Sequence, residues 1–391
     1  MDANQTIGEV TRMAYTEEQW QRWNESVFEG DTVYNESVFF LEQGEEKSLL
    51  YDIDTVLSVT NYDGSVTYER GRDYDVKDGR LVCVPGGAIE TLGYDNYYGV
   101  EDSFISVMHD GAPTKVYWGE GLTMVKYHVL VTYTHKDVWH GFIQPDYSRE
   151  YAAFLAKMER GEDVTVLFHG DSITYGCSAG ILAGVHPCMP TFPMLFTHRL
   201  ARKFGYGIRY VKPAPENTPP ILPDEPGTRG TITYINTAVG GWCSEHGVKE
   251  YDTYIRPYID RYGCDLFVYG YGMNDGNREL DELCANQKIT VDNVAAQAPG
   301  VSVVLLATMV PNPEGLGWYG KQRYQEAAYL AASAHFRAAG IPTAVCRMTS
   351  VSEAVLGRKA FIDYAGNNIN HPDDFFVRIY AESLFRCVCG E

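Results

Sequence analysis

The sequence is short of positive charge, because its 391 residues carry 32 Lys and Arg against 52 Asp and Glu, a net charge of −20. Affinity for nucleic acid comes largely from basic side chains that contact phosphate, so this balance argues against a nucleic-acid partner. It also disfavours anionic membrane surfaces and polyanionic substrates. We therefore expect a partner or substrate that is not a polyanion.

Long apolar runs are missing as well. Apolar residues make up 45% of the chain, which is enough for buried cores, but no run of 18 apolar residues is present, so we expect no membrane span. Residues 1–6 have neither a basic start nor an apolar stretch, and they do not look like a secretory signal. These features together predict a cytoplasmic protein.

Regularly spaced cysteines are also absent. The nine cysteines are odd in number and scattered, and none of them forms a Cys-x-x-Cys pair. Cys387 and Cys389 are separated by one residue, a spacing that suits no common zinc site. We therefore expect reduced thiols, and neither a metal nor another cofactor is required by the pattern.

The chain is long enough for two domains, and its pattern changes near residue 145. Residues 1–145 contain short strand-like runs separated by turn signals such as Asp63-Gly64, which predicts an all-β, jelly-roll-like sandwich. In residues 146–391, strand-like and helical runs alternate, which predicts an α/β domain with a parallel sheet covered on both faces. Predicted strands begin at Val164, Thr231, Asp265, Val301 and Thr343. Predicted helices span 150–160, 192–204, 251–262, 281–298, 319–339 and 375–387.

The second region is organised around residues 163–176. A buried strand from Val164 to Phe168 runs into Gly170-Asp171-Ser172, where a turn begins. Open α/β sheets keep their chemistry just beyond the carboxyl ends of central strands. Ser172 is therefore a candidate nucleophile, and the groups that would serve it should follow the later strands.

Three later segments carry such groups. Gly241, after the second strand, lets the backbone approach a substrate and direct an N–H at an oxyanion. Asn274, after the third strand, offers an uncharged N–H donor for the same purpose. His371 precedes the last predicted helix, and imidazole suits a general base because it titrates near neutral pH. Each segment alone also fits an ordinary turn, and it is their joint occurrence in this order that favours a catalytic site.

These segments resemble the four motif blocks of the SGNH (GDSL-type) hydrolases, a superfamily of serine esterases. The resemblance covers about residues 160–391 and does not extend to the β region. The matching blocks are Gly170-Asp171-Ser172-Ile173, Gly241, Gly272-Met273-Asn274-Asp275 and His371-Pro372.

The resemblance implies a flavodoxin-like three-layer α/β/α domain and an acyl-enzyme mechanism. Ser172 would be the nucleophile, His371 the general base, and the N–H groups of Ser172, Gly241 and the Asn274 side chain the oxyanion donors. Asp171, counted with the substrate site, is expected to fix the turn rather than to serve as the acid. No metal is implied.

The acid is the point at which the sequence departs from the family. The last block is usually Asp-x-x-His, but Asn368 stands three residues before His371. One alternative is a Ser–His dyad whose ring is held by a backbone carbonyl, and another takes the carboxylate from Asp363. A third takes it from Asp373 or Asp374, although both could instead cap the final helix.

Aromatic residues near the predicted site favour a sugar substrate. Trp242 follows the oxyanion glycine, and Trp318 and Tyr319 lie in the loop after the fourth strand; such rings stack on the apolar faces of sugars, although plain packing fits them equally. A β-sandwich ahead of an SGNH domain resembles two-domain carbohydrate O-acetylesterases, whose accessory domain can build part of the cleft. Here residues 93–121, with Trp118, are expected to reach the site.

The leading expectation is therefore a serine O-acetylesterase that acts on acetylated oligosaccharides. A lipase or thioesterase for longer acyl esters is an alternative, because residues 177–185 are apolar. A non-catalytic carbohydrate-binding protein is a third, favoured only by Asn368. We expect no nucleic-acid or membrane partner, and the sequence leaves open a homo-oligomer.

Overall fold

A computed structural model describes residues 15–103 and 105–390 of the chain. The N-terminal region is built mostly from short antiparallel strands. Its strands are Thr32–Phe39 (β1), Glu46–Lys47 (β2), Thr55–Asn61 (β3), Tyr74–Lys77 (β4), Arg80–Cys83 (β5), Ser106–His109 (β6), Ala112–Lys115 (β7) and His128–Thr134 (β8). Its helices are Glu17–Asn24 (α1), Tyr94–Tyr97 (α2) and Leu122–Val125 (α3).

The N-terminal strands form two three-stranded sheets, with the orders β1-β8-β3 and β2-β5-β4, and the hairpin β6-β7. All of these pairings are antiparallel. The region is largely β structure, as predicted, but the predicted sandwich of two stacked sheets is not clearly shown by this arrangement. The proposed domain boundary near residue 145 stays a prediction.

The C-terminal region is built from six strands and the helices between them. The strands are Val164–Gly170 (β9), Gly207–Val211 (β10), Thr231–Asn236 (β11), Leu266–Gly270 (β12), Ser302–Ala307 (β13) and Thr343–Arg347 (β14). The helices are Ala152–Glu159 (α4), Ser172–Tyr175 (α5), Gly180–Ala183 (α6), Phe192–Phe204 (α7), Ser244–Lys249 (α8), Tyr251–Tyr254 (α9), Arg256–Tyr262 (α10), Leu280–Gln297 (α11), Gln322–Ala338 (α12), Met348–Leu356 (α13) and Asp374–Cys389 (α14). Two 3₁₀ turns, Met273–Asp275 and Phe361–Asp363, complete it.

The six strands form one parallel sheet in the order β10-β11-β9-β12-β13-β14. Without the edge strand β10, this is the flavodoxin-like order 2-1-3-4-5 that the motif resemblance implies. The chain adds β11 on one side of β9 and later adds β12 on the other side, so the switch point lies at the carboxyl ends of β9 and β12. Ligand sites in open α/β sheets lie at this kind of switch point.

Alternate residues of the central strand β9 belong to two separate cores, because successive strand side chains point to opposite faces. Val166 and Phe168 pack in a core with α4, α7, α13 and α14. Leu167 packs in a second core with α9, α10, α11 and α12. Helices therefore cover both faces of the sheet, and the predicted three-layer architecture is confirmed.

The core on the α7 and α14 face continues into the N-terminal region. Val33 of β1 and Val131 of β8 belong to the same apolar cluster as the strands of the parallel sheet. Helix α14 contacts both α1 and β1. The two regions thus share buried surface, which brings N-terminal loops close to the carboxyl edge of the sheet.

Most predicted elements of the C-terminal region are present. The predicted helix 192–204 matches α7, and the strand predicted to begin at Thr231 matches β11. The predicted helix 251–262 is broken at Ile255, because Pro257 has no N–H to continue the hydrogen-bond ladder of α9. Strand β10 and helix α13 are not predicted by the sequence pattern. Among the described residues no helix is both long and apolar enough to cross a membrane.

Candidate active site

Ser172 begins helix α5 directly beyond the carboxyl end of β9. The Asp171 carboxylate caps this helix, since its Oδ1 accepts a hydrogen bond from the N–H of Ile173 at 3.0 Å. At Gly170, a Cβ atom would lie 2.2 Å from the carbonyl oxygen of Gly270, so only glycine lets β9 and β12 approach this closely. Strand packing and a helix cap therefore account for the glycine and aspartate before the serine.

His371 lies beside the serine, with its Nε2 at 2.8 Å from Ser172 Oγ. The loop that carries it is shaped by Asn367, whose Oδ1 accepts the N–H groups of Ile369, Asn370 and His371 at 2.9, 3.0 and 3.0 Å. The imidazole is about 10% exposed. The structure thus brings together the serine and histidine that the sequence singled out.

The other ring nitrogen of His371 faces a residue that the sequence analysis did not consider. Nδ1 lies 2.7 Å from Oε1 of Glu120, although this oxygen is off the line of the ring N–H. Asn367 Nδ2 donates to the same oxygen at 2.8 Å, and Ser178 Oγ donates to Oε2 at 2.7 Å. Glu120 belongs to the N-terminal region, in the turn before α3.

The Glu120 carboxylate is held in its charged form. Burial opposes the charge, but His371, Ser178 and Asn367 outweigh it and lower the pKa of Glu120 to about 2. About 46% of the side chain remains exposed, so part of the residue is still in contact with solvent. Ser172, His371 and Glu120 thus place a hydroxyl, an imidazole ring and a carboxylate in series.

The prediction of Asp363 as the acid is corrected by its position. Its Oδ1 accepts the N–H of Phe39 at 2.9 Å, and its Oδ2 accepts that of Ala360 at 3.2 Å. The carboxylate therefore joins the second 3₁₀ turn to strand β1. Its hydrogen bonds connect the two regions, and it does not contact His371.

The other two candidate acids are helix-end residues. Asp373 caps α14 by accepting the N–H of Phe376 at 3.0 Å, and its second oxygen lies 3.4 Å from Nδ1 of His128. Asp374 accepts the N–H of Gly180 at 2.6 Å. Both carboxylates thus support structure next to the site, and the third sequence-based alternative is wrong as well.

Gly241 and Asn274, the predicted oxyanion donors, line the same cavity as Ser172. Gly241 has φ +78°, a conformation that favours glycine, and there is open space where its Cβ would stand. Asn274 Nδ2 donates one hydrogen to the carbonyl of Trp242 at 2.8 Å, and an amide nitrogen carries a second N–H. Asp275 anchors this loop by accepting the Ser244 hydroxyl at 2.6 Å. The second N–H of Asn274 is therefore available to a ligand.

A cavity of about 410 Å³ joins these groups. It is lined by Ser172, Gly241, Asn274 and His371, which come from four separate segments of the C-terminal region. Trp118, Glu120 and Gly121 of the N-terminal region line it too, so the predicted segment 93–121 reaches the site through its last residues. The other lining residues are Tyr175, Cys177, Ser178, Leu182, Ala183, Gly240, Trp318, Asn367, Ile369 and Asn370.

Three residues predicted to bind substrate do not line this cavity. The ring of Trp242 stacks on His246 at 4.9 Å and meets Tyr254 edge-on at 4.6 Å, so it packs within the α8–α9 segment. Tyr319 is 46% exposed on the surface beside the cavity. Asp171 is 1% exposed and serves as the helix cap. Of the predicted aromatic residues, Trp118 and Trp318 line the cavity.

His169, one residue before the Gly-Asp-Ser block, is buried between two hydroxyl groups. Its Nδ1 is 2.9 Å from Thr237 Oγ1 and its Nε2 is 2.8 Å from the hydroxyl of Tyr271. Burial lowers the pKa of His169 to about 3, so the ring is neutral. His169 therefore packs in the core with both ring nitrogens hydrogen-bonded, and it does not line the cavity that contains Ser172.

No family model and no curated protein matches the chain. One similar solved structure is a two-domain esterase active on acetylated mannans, with 16% identity, a TM-score of 0.43, and coverage of 62% of this chain and 53% of that one. A second is a carbohydrate esterase of family 3 from Talaromyces cellulolyticus, with 15% identity, a TM-score of 0.39, and coverage of 57% and 94%.

A third similar structure is a catalytic mutant of Axe2, an acetylxylan esterase from Geobacillus stearothermophilus, with 14% identity, a TM-score of 0.39, and coverage of 58% and 94%. The alignment with the mannan esterase spans about half of that protein's length. Likenesses of this size carry no conclusion about activity, which has to be inferred from the chain's own residues.

Proposed function

We propose that the protein is a serine esterase that removes O-acetyl groups from carbohydrate through an acyl-enzyme intermediate. The observation that carries this proposal is the 2.8 Å contact between Ser172 Oγ and His371 Nε2 at the carboxyl edge of the parallel sheet. A hydroxyl within hydrogen-bond reach of an imidazole can lose its proton as it attacks a carbonyl carbon. The open cavity beside the pair gives an ester access to both groups.

The first half of the reaction forms the acyl-enzyme. His371 Nε2 takes the proton of Ser172 as Oγ attacks the ester carbonyl, and a tetrahedral intermediate with a negative oxygen results. The N–H groups of Ser172 and Gly241 and the second N–H of Asn274 stabilise this oxygen. His371 then gives the proton to the departing sugar oxygen, and the acetyl group stays bonded to Ser172 Oγ.

The second half releases acetate. A water molecule enters from the cavity, loses a proton to His371, and attacks the acyl carbonyl through the same oxyanion donors. The intermediate expels Ser172, which regains its proton from the imidazole. The residues end in their starting protonation states, so neither a metal nor a redox cofactor is needed for the balance.

The cavity wall supports a sugar as the alcohol half of the ester. Trp118 and Trp318 come from different regions of the chain and line the same cavity. Indole rings offer wide apolar faces on which sugar rings stack. Leu182 and Ala183 also line the cavity, and they are the feature that keeps a longer acyl chain as the second candidate.

The acyl preference is tested with the acetate, butyrate and octanoate esters of 4-nitrophenol. We expect acetate to be hydrolysed fastest, and Ser172→Ala to lower kcat by at least about 10⁴-fold. The matched control is Ser65→Ala, because Ser65 is an exposed turn residue of the N-terminal region. Its activity should equal that of the wild type.

Other outcomes would change the proposal. Fastest hydrolysis of the octanoate ester would support the lipase or thioesterase alternative. Activity that survives in Ser172→Ala would show that Ser172 is not the nucleophile. No activity on any ester would contradict an esterase and favour a carbohydrate-binding protein. With acetate established, release of acetic acid from acetylated xylo- and manno-oligosaccharides tests the alcohol half.

A further inference from the structure

We infer that Glu120 is the positioning residue of the site, so that the N-terminal region supplies the carboxylate that the Asp-x-x-His motif lacks. The inference deepens the proposed function and rests on it. Glu120 does not touch the reacting atoms; it acts through the ring of His371. Its Oε1 lies 2.7 Å from Nδ1, on the side of the imidazole opposite Ser172.

Both carboxylate oxygens are held in place by donors from the C-terminal region. Asn367 donates to Oε1 at 2.8 Å and Ser178 donates to Oε2 at 2.7 Å. An unpaired surface carboxylate would sample several rotamers, but here each oxygen accepts a hydrogen bond from a neutral donor. The arrangement has the features of a built site rather than of an incidental surface ion pair.

Asn367 couples the base to the carboxylate. Its Oδ1 accepts the N–H of His371 at 3.0 Å and so fixes the backbone that carries the imidazole. Its Nδ2 holds Glu120. One amide thus holds both the backbone of the base and one oxygen of the carboxylate.

The backbone around Glu120 and Ser178 is shaped for this contact. Gly121 has φ +63°, and at Gly119 a Cβ would lie 2.5 Å from the Thr123 side chain, so the turn on either side of Glu120 requires glycine. Ser178 has φ +67°, a conformation that is uncommon outside glycine. It lies against Gly366, where a Cβ would be 2.3 Å from Ser178 Cβ.

The carboxylate has two effects on the imidazole. It favours the tautomer with the proton on Nδ1, which leaves the lone pair of Nε2 facing the serine. It also stabilises the imidazolium that forms when Ser172 loses its proton, while the proton itself remains on the ring. Because its pKa is held near 2, Glu120 stays charged throughout the working range of an esterase.

The test uses the full-length chain with Glu120→Gln and Glu120→Asp. A glutamine amide can donate to Nδ1 and select the wrong tautomer, so we expect kcat to fall about 10²- to 10⁴-fold with KM changed less than about threefold. Aspartate keeps the charge with a shorter reach, and its kcat should lie between those of Glu120→Gln and the wild type. The control is Glu101→Gln, an exposed carboxylate outside the cavity, which should match the wild type.

A second measurement determines the tautomer of the His371 ring directly, and it does not depend on enzymatic activity. In ¹⁵N spectra of the neutral imidazole we expect the His371 proton on Nδ1 in the wild type and on Nε2 in Glu120→Gln. Unchanged spectra together with a kcat within threefold of the wild type would overturn the inference and leave a Ser–His dyad. A wild type that is inactive on every ester defeats the proposed function alone, because the spectra still decide the role of Glu120.

Discussion

The side-chain amide of Asn368 donates a hydrogen bond to the hydroxyl of Tyr97 at 3.0 Å. It also donates to the carbonyl of Tyr117 at 2.8 Å. Asn368 has φ +64°, a left-handed conformation that asparagine tolerates better than most residues. Its side chain therefore binds the N-terminal region, and the position that carries an aspartate in the motif serves here to join the two regions.

The first prediction concerns Asn368→Asp, which restores the aspartate of the Asp-x-x-His motif. A carboxylate has no hydrogen to donate to the Tyr117 carbonyl, so a buried acceptor is left facing a negative charge. We expect stability to fall by about 1–3 kcal/mol and kcat not to rise. Urea unfolding and ester hydrolysis measure the two effects.

The control for this variant is Asn277→Asp, because Asn277 is exposed. Its stability should stay within about 0.5 kcal/mol of the wild type. An increase in kcat for Asn368→Asp, or rescue of Glu120→Gln by it, would show that a carboxylate at residue 368 can reach His371. That result would contradict the orientation described above.

The second prediction is a pH dependence of stability that originates at Asp171. Burial raises the pKa of this carboxyl group from 3.8 to about 7, and its Oδ2 has no hydrogen-bond partner among the described residues. Between about pH 4 and pH 7 the unfolded chain has released this proton while the native protein keeps it. The free energy of unfolding should therefore fall as the pH rises through this window and level off above it.

Asp171→Asn separates this contribution from others. The amide oxygen can still accept the N–H of Ile173, but the side chain no longer titrates. Urea unfolding at pH 5 and pH 8 should show a smaller difference in the variant than in the wild type. Part of the difference remains, because burial also raises the pKa values of Asp374 and Glu225 to about 7. Equal differences in the two proteins would exclude Asp171 as a source.

Much of the parallel sheet could be predicted because each of its central strands is marked by a pattern within a few consecutive residues. The run Val164–Phe168 is apolar on both faces, as a central strand must be, and it is bounded by a turn within the same few residues. The edge strand β10 could not be found in this way. It is five residues long, begins with a glycine, and has the exposed Arg209 at its centre.

The same distinction applies to the site. Ser172 and His371 each stand next to the end of a strand or helix, so a short motif contains the information that places them. Glu120 lies in a Gly-Glu-Gly turn that matches no catalytic motif. Its role depends on contacts with residues 367–371, which are distant in the sequence. The only sequence signal was its nearness to Trp118, in the segment already expected to reach the site.

The third prediction tests the oxyanion donors through Asn274→Ala. The side chain gives one hydrogen to the Trp242 carbonyl, which orients it, and the proposed mechanism uses the other on the tetrahedral intermediate. Loss of a single such donor typically lowers kcat by about 10²- to 10³-fold. KM for 4-nitrophenyl acetate should change little, since the interaction strengthens only as the charge develops.

The control for Asn274→Ala is Asn277→Ala in the same loop, which should leave kcat unchanged. Asp275 remains to anchor the loop to Ser244, so a thermal melt within a few degrees of the wild type is expected. A kcat reduced by less than about threefold, in a folded variant, would remove Asn274 from the oxyanion site.

The fourth prediction separates the sugar from the acyl half by comparing Trp318→Ala with Tyr319→Ala. Trp318 lines the cavity, whereas the neighbouring Tyr319 is exposed beside it. Stacking on one aromatic ring contributes about 0.5–1.5 kcal/mol, so Trp318→Ala should lower kcat/KM for acetylated oligosaccharides by about 2- to 12-fold. Hydrolysis of ethyl acetate, which has neither a sugar nor an aromatic ring to stack, should stay within about twofold.

Tyr319→Ala should leave the kinetic constants for both substrates unchanged, and this makes it the matched control. Because Trp318 also packs against the apolar cores, a general loosening of the site is the competing explanation for a loss of activity. Loosening would reduce hydrolysis of the small ester and of the oligosaccharide alike, whereas a stacking surface affects the oligosaccharide alone. Equal losses on the two substrates would therefore count against a carbohydrate substrate bound at Trp318, even if Ser172 proves to be the nucleophile.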